Sequence, residues 1–144
     1  MTDKARANND GSAVTALGLV FGDVSVAIGD AAGRLSTWSP ARDPIAGGDR
    51  TLKKPHYVTP HPSPILKISP SLRDKSIVSF SRDGGLHLDH MTSERHLLDM
   101  PTPRQLTAYA LSKRSDSMVT LTDDGRLTAW RIDNPHPEIS WKTL

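Results

Sequence analysis

The feature that most constrains how this chain can fold is a threefold repeat built around a glycine. Three segments align when Gly33, Gly84 and Gly125 are placed in register. Each has an apolar residue seven positions before the glycine, a leucine two positions after it, and an apolar stretch beginning nineteen positions before it. The repeated positions are Val14, Val26 and Leu35; Ile65, Ile77 and Leu86; and Leu106, Met118 and Leu127. Glycine spacings of about 40 to 50 residues are typical of repeat architectures, so we predict three similar units.

Each unit is predicted to contain four short β-strands. Asp-Gly pairs at Asp83 and Asp124 indicate tight hairpin turns, because Asp tolerates left-handed backbone and Gly adopts positive φ without steric cost. No stretch has helical periodicity. In the outer units we predict strands at Val14–Val20, Val24–Ile28, Arg34–Trp38 and Lys53–Pro60, and at Leu106–Ser112, Ser117–Thr122, Arg126–Trp130 and Glu138–Leu144. In the second unit strands start at Ile65 and Ser76, a third carries His87–His90, and the fourth is Arg95–Met100.

The sequence therefore predicts an all-β fold of three four-stranded antiparallel sheets. Residues 1–13 form a polar tail and residues 14–144 form one domain, with units at about 14–60, 61–101 and 102–144. The first unit is longer because it holds an insertion at Ser39–Arg50. Consecutive apolar residues, as at Ile77-Val78, predict strands that neighbouring sheets cover on both faces.

Composition narrows the classes of function. The 144 residues include no cysteine, which excludes disulfides, thiolate metal sites and a cysteine nucleophile. The net charge of +2 comes without the clustered Lys/Arg stripe of a nucleic-acid binder, so we expect no nucleic-acid partner. No apolar run has the length of a membrane span, and the N-terminal residues lack the apolar core of a signal peptide. We expect no membrane contact by this segment, and any export signal would lie elsewhere in a larger chain.

The aromatic residues extend the repeat. Five positions after the glycines stand Trp38, Asp89 and Trp130. An aliphatic-x-aliphatic-Trp pattern after an Asp-Gly turn resembles the third strand of a WD40-like β-propeller blade. The resemblance covers about residues 14–144 and implies three divergent blades. It also implies that the repeated positions build the blades: Gly33, Leu35, Trp38, Gly84, Leu86, Gly125, Leu127 and Trp130.

WD40-like blades often carry a hydrogen-bonded set of His, Ser or Thr, Asp and Trp, and each unit here is incomplete. The second unit offers His61, Ser79 and Asp83, but Asp89 replaces the tryptophan. The third offers Thr120, Asp123 or Asp124, and Trp130, with Thr102 in place of the histidine. Trp141 lies outside the shared register, and packing within the last strand is favoured over an interface role for it.

A narrower resemblance concerns Arg126–Leu144 and the divergent units before it. They are similar to the soluble propeller-like domain of large bacterial phosphate ABC-transporter permeases. This implies a non-catalytic interaction or regulatory domain on the periplasmic side of an inner-membrane protein, with other transporter subunits as partners. Two alternatives stay open: a generic WD40-like protein-interaction scaffold in the cytoplasm, and an enzyme acting in a propeller channel.

His87, Asp89 and His90 form the polar motif with the most chemical interest. His87 and Asp89 would share one face of a strand and His90 would face away, so a metal would need a third ligand such as His61 or His56. Polar residues on an outer or inter-blade face are the favoured interpretation. With no G-x-S-x-G elbow and no phosphate-binding glycine loop, we predict no catalytic residue, no cofactor and no metal.

Three blades are too few to close a propeller, which usually has four to eight. An open arc would expose two apolar sheet faces. We therefore predict that the remaining blades come from a second copy, giving a six-bladed homodimer, or from the rest of a longer chain.

Overall fold

The computed structural model describes residues 11–20, 22, 25–42, 50–58, 60–100, 104–133 and 140–143. They form three four-stranded antiparallel sheets, each ordered as the strands follow in the chain. The first sheet holds β1 (Val14–Leu19), β2 (Val26–Asp30), β3 (Leu35–Arg42) and β4 (Arg50–Val58). The second holds β5 (Ile65–Pro70), β6 (Ser76–Ser81), β7 (Leu86–His90) and β8 (Arg95–Asp99). The third holds β9 (Leu106–Leu111), β10 (Ser117–Thr122), β11 (Leu127–Asp133) and β12 (Ser140–Thr143).

This architecture confirms the predicted all-β class and repeated antiparallel sheets. The largest difference in strand bounds is in the first sheet, where β3 continues past Trp38 to Arg42 and β4 begins at Arg50 instead of Lys53. The two strands stay paired as far as Arg42 and Arg50, across a bulge between Thr37 and Ser39. Part of the predicted insertion is therefore the end of a long hairpin, whereas residues 1–10 and 43–49 lie outside the described residues.

The second sheet packs between the other two. One apolar cluster joins it to the first sheet through Ala27, Leu35, Ile65, Ile68 and Ile77. Another joins it to the third sheet through Val78, Phe80, Leu86, Leu106, Tyr109 and Met118. β6 is thus covered from both sides, with Ile77 in the first cluster and Val78 and Phe80 in the second, and this explains its consecutive apolar residues.

Tyr109 is the main polar link between the second and third sheets. Its hydroxyl lies 2.7 Å from the Ser69 hydroxyl, its ring contacts Phe80 edge-on, and the Lys67 ammonium lies 4.5 Å from the ring centroid. Burial raises the pKa of Tyr109 to about 12, against the opposing effect of the Ser69 hydrogen bond. Within the described part of the chain, no helix is long and apolar enough to cross a membrane.

Candidate functional site

The three repeat glycines all lie in hairpin turns with positive φ, near 80°, 86° and 80°. A Cβ built on Gly33 would lie 2.1 Å from the His61 carbonyl oxygen, and one built on Gly84 would lie 2.8 Å from the Leu106 nitrogen. Both turns therefore press against the start of the next sheet. A Cβ on Gly125 would meet nothing within 4 Å, so none of the described residues packs against this glycine.

The repeat leucines are also packed in the first two sheets and exposed in the third. Leu35 is fully buried and Leu86 is 2% exposed, because each faces the sheet that follows its own. Leu127 occupies the equivalent position of the third sheet and is 70% exposed. Val119, on the same face, is also exposed, whereas its counterparts Ala27 and Val78 are buried.

The first sheet exposes the opposite face. Val14 and Leu17 are 45% and 65% exposed, and Leu19 is exposed beside them. The residues equivalent to Val14 and Leu17 in the later sheets are buried against a preceding sheet; they are Ile65, Ile68, Leu106 and Tyr109. We call the surface of Val14, Leu17 and Leu19 the front face, and the surface of Ala108, Ala110, Val119, Leu121 and Leu127 the back face.

The two repeat tryptophans serve the fold as packed side chains. Trp38 is buried and its Nε1 donates to the Ser36 hydroxyl at 3.2 Å. Trp130 packs against the second apolar cluster, and its Nε1 donates to the Thr120 hydroxyl at 2.8 Å. The side chain of Trp141 and the position of Thr102 lie outside the described residues.

The second sheet has a histidine and carboxylate cluster where the others have tryptophan. Nε2 of the buried His61 lies 2.8 Å from the hydroxyl of Ser79, the counterpart of Thr120. The His61 ring stacks on His87, with centroids 3.7 Å apart and planes 13° from parallel. Burial lowers the pKa of His61 to about 4, and the adjacent His87 acts in the same direction. His61 is thus neutral at pH 7 and supports one face of His87.

Asp89 is the buried carboxylate of this cluster, and it contacts His96. Its carboxyl group is fully buried, and Oδ1 lies 2.9 Å from Nδ1 of His96. Burial raises the pKa of Asp89, while the contact with His96 opposes that shift. Nε2 of His96 lies 3.0 Å from Oδ1 of Asp99, and Nε2 of His87 lies 3.1 Å from the same oxygen. Two imidazole nitrogens therefore converge on one carboxylate oxygen at the rim of the sheet.

A bulge brings these side chains together. His87 pairs with Asp99 and Leu88 with Leu98, but Asp89 then pairs with His96, because the register shifts by one residue. In regular pairing His96 would point to the opposite face from Asp99, three positions along the strand. The bulge restores both to the face of His87 and Asp89. His96 and Asp99 were missed by the sequence analysis, which had no signal for a bulge in Arg95–Met100.

The other sequence candidates lie elsewhere. His90 alternates to the opposite side of β7 and contacts the hydroxyl of Ser93 at 2.9 Å. It also lines a cavity of about 220 Å³ between the second and third sheets, whose wall includes Arg73 and Asp74. His56, on β4, pairs with Glu94 at 3.1 Å. The structure thus brings His61, but not His56 or His90, to His87 and Asp89.

No protein-family model and no curated protein sequence matches the chain. Among solved structures it is similar to the computationally designed Ika8 protein, at 24% identity and a TM-score of 0.61, covering 83% of this chain and 33% of that one. It is also similar to the computationally designed Ika4 protein, at 23% identity and a TM-score of 0.65, covering 91% of this chain and 74% of that one. The structure of U3-55K gives 17% identity and a TM-score of 0.69, covering 96% and 40%. At these identities the likeness concerns the fold, and the chain spans about a third of the length of Ika8.

Proposed function

We propose that this chain is a non-catalytic interaction module of three β-propeller-type blades, whose role is to assemble with further blades of the same kind. The support is the repeat itself. Leu35 and Leu86 are covered by a following sheet, and Leu127 at the same repeat position is 70% exposed. A surface that is buried twice within the chain and exposed at its end is typical of a repeat that continues by stacking.

The occupant we propose for both faces is a second copy of this chain. Within one copy, the first sheet offers small residues at Gly18 and Gly29, and the second fills the space with Ile65 and Ile68. The back face likewise offers small residues, Ala108 and Ala110. The front face likewise offers larger apolar residues, the exposed Leu17 and Leu19. The front face of one copy therefore matches the back face of another.

Two such contacts close a ring of six blades with twofold symmetry. Each contact joins the front face of one copy to the back face of the other. Because a half-turn relates the two copies, the two contacts use all four faces and leave none for a third copy. Closure would remove from water the apolar surface that monomeric proteins rarely expose.

Cysteine cross-linking tests this arrangement cleanly because the chain has no cysteine of its own. A Cβ built on Gly29 would lie 2.9 Å from the Ile65 Cβ, and the repeat equivalents of these residues are Leu121 and Val14. A disulfide needs a Cβ separation of about 3.5–4.5 Å, within reach of a small shift. We expect Val14→Cys and Leu121→Cys proteins to form a disulfide-linked dimer when mixed and oxidised.

The controls fix the geometry of the contact. Neither variant alone should cross-link, because a head-to-tail contact brings unlike faces together. Lys113→Cys, on an exposed turn away from both faces, should not cross-link with either. Efficient cross-linking of Val14→Cys with itself would contradict the head-to-tail contact, and absence of any cross-link in the mixture would contradict assembly through these faces.

We further propose that the module belongs to a phosphate ABC-transporter permease and lies on the periplasmic side. The support is the sequence resemblance through Arg126–Leu144, and the alternative is a cytoplasmic scaffold. Reading the gene on both sides of this segment tests it. Encoded transmembrane helices next to the segment are expected, and flanking sequence without any would contradict the permease assignment.

A further inference from the structure

We infer that the second sheet carries a binding site for a divalent transition-metal cation of the zinc class, formed by His87, His96 and Asp99. One ligand atom from each of the three residues lies within 4.8 Å of the others. The set combines two imidazoles with one carboxylate, and zinc sites in proteins are built from such donors. The site lies within one copy of the chain and is independent of the proposed assembly.

The distances suit a tetrahedral ion. Metal–ligand bonds of about 2.0–2.1 Å at tetrahedral angles separate neighbouring ligand atoms by about 3.3 Å. Here Oδ1 of Asp99 lies 3.1 Å from Nε2 of His87 and 3.0 Å from Nε2 of His96. These two separations are a few tenths of an ångström short of that value, and the two imidazole nitrogens lie within 4.8 Å of each other. The Asp99 side chain can adjust to an ion because it is 68% accessible.

Neighbouring side chains hold the two histidine ligands in place, as they do around metal sites in proteins. The carboxylate of Asp89 lies 2.9 Å from Nδ1 of His96, on the side away from Asp99. A carboxylate on the far nitrogen of a histidine orients the ring and strengthens it as a ligand. His87 is held by the parallel ring of His61, which is itself tied to Ser79.

The site arises where the repeat departs from its own pattern. Trp130 fills the corresponding position of the third sheet and donates to Thr120. In the second sheet the residue is Asp89, and it is His61 that contacts Ser79, the counterpart of Thr120. The rings of His61 and His96 both contact the ring of His87. Three protein ligands at a partly open rim leave a fourth position for water or another ligand, as in catalytic zinc sites.

Isothermal titration with Zn²⁺ tests the inference on the full chain purified without a histidine tag and stripped of metal. We expect one ion per chain, and Co²⁺ in its place should give the intense visible absorption of a tetrahedral complex. Asp99→Asn should weaken Zn²⁺ binding by more than about 100-fold, since outer residues alone are worth about 10–100-fold. Asp89→Asn should fall in that outer range.

His90→Gln is the matched control, because it removes an imidazole from the same strand outside the cluster. It should bind Zn²⁺ as the unaltered chain does. Asp99 is exposed, so Asp99→Asn stays informative even where the buried Asp89→Asn fails to fold. Equal Zn²⁺ affinity for the unaltered chain and Asp99→Asn, a Co²⁺ spectrum of octahedral type, or equal loss with His90→Gln would overturn the inference.

Discussion

Truncation of the repeat leucines distinguishes a stack that ends from one that continues. Leu86 is 2% exposed between the second and third sheets, and Leu127 at the same repeat position is 70% exposed. A buried Leu→Ala change costs about 2–5 kcal/mol because it removes apolar contact and leaves a cavity. Full burial of a leucine is worth about 1.5–3 kcal/mol, so with most of Leu127 already in water its truncation should cost less than about 1 kcal/mol in a single copy.

Urea unfolding followed by tryptophan fluorescence measures this difference, since the chain has three tryptophans. Leu86→Ala should lower the free energy of unfolding at every protein concentration. Leu127→Ala should be nearly neutral in dilute solution and destabilising when the protein is concentrated enough to pair, because binding to the native form adds stability by mass action. Equal losses for the two variants in dilute solution would refute the reasoning, as would a loss below about 1 kcal/mol for Leu86→Ala.

Two further predictions concern single residues. In urea unfolding, Gly33→Ala should lower the free energy of unfolding by about 1–3 kcal/mol more than Gly125→Ala does. Both variants carry the cost of positive φ, but only the Cβ at position 33 meets the next sheet, so equal losses of stability would contradict the close approach of the Gly33 turn to His61. In a Tyr57→Phe background, Tyr109 should ionise with a pKa of about 12 in an absorbance titration, and ionisation near 10 would show that it is not buried. Because the folded pKa lies above the unfolded value of 10.0, stability is complete below pH 10 and should fall by about 2–3 kcal/mol as the pH rises to 12.

The repeat pattern allowed much of the fold to be predicted. β10 lies where the apolar run of Ser117–Thr122 placed it, and the glycine turns have the positive φ that the Asp-Gly signal indicated. The predicted end of the third strand, at Trp38, was wrong, because β3 continues to Arg42. Pro40 interrupts the sequence pattern there, although pairing with β4 still holds the backbone extended.

Only two residues of the candidate site could be placed together from the sequence. His87 and Asp89 could be placed on one face of a strand because their spacing is two. His96 and Asp99 are three apart, so regular alternation separates them, and only the register shift between Leu88 and Asp89 unites them. A bulge depends on the pairing of two strands, and nothing in either strand alone encodes it.

The mass of the folded chain in solution tests the central claim most directly. Sedimentation equilibrium on the purified protein, folded by circular dichroism, should give twice the chain mass of 15.7 kDa, with dissociation on dilution. The same measurement on Leu127→Glu, which places a charge on the back face, should give the single-chain mass. A folded protein that stays at 15.7 kDa at high concentration, with its front and back faces in water, would contradict the account.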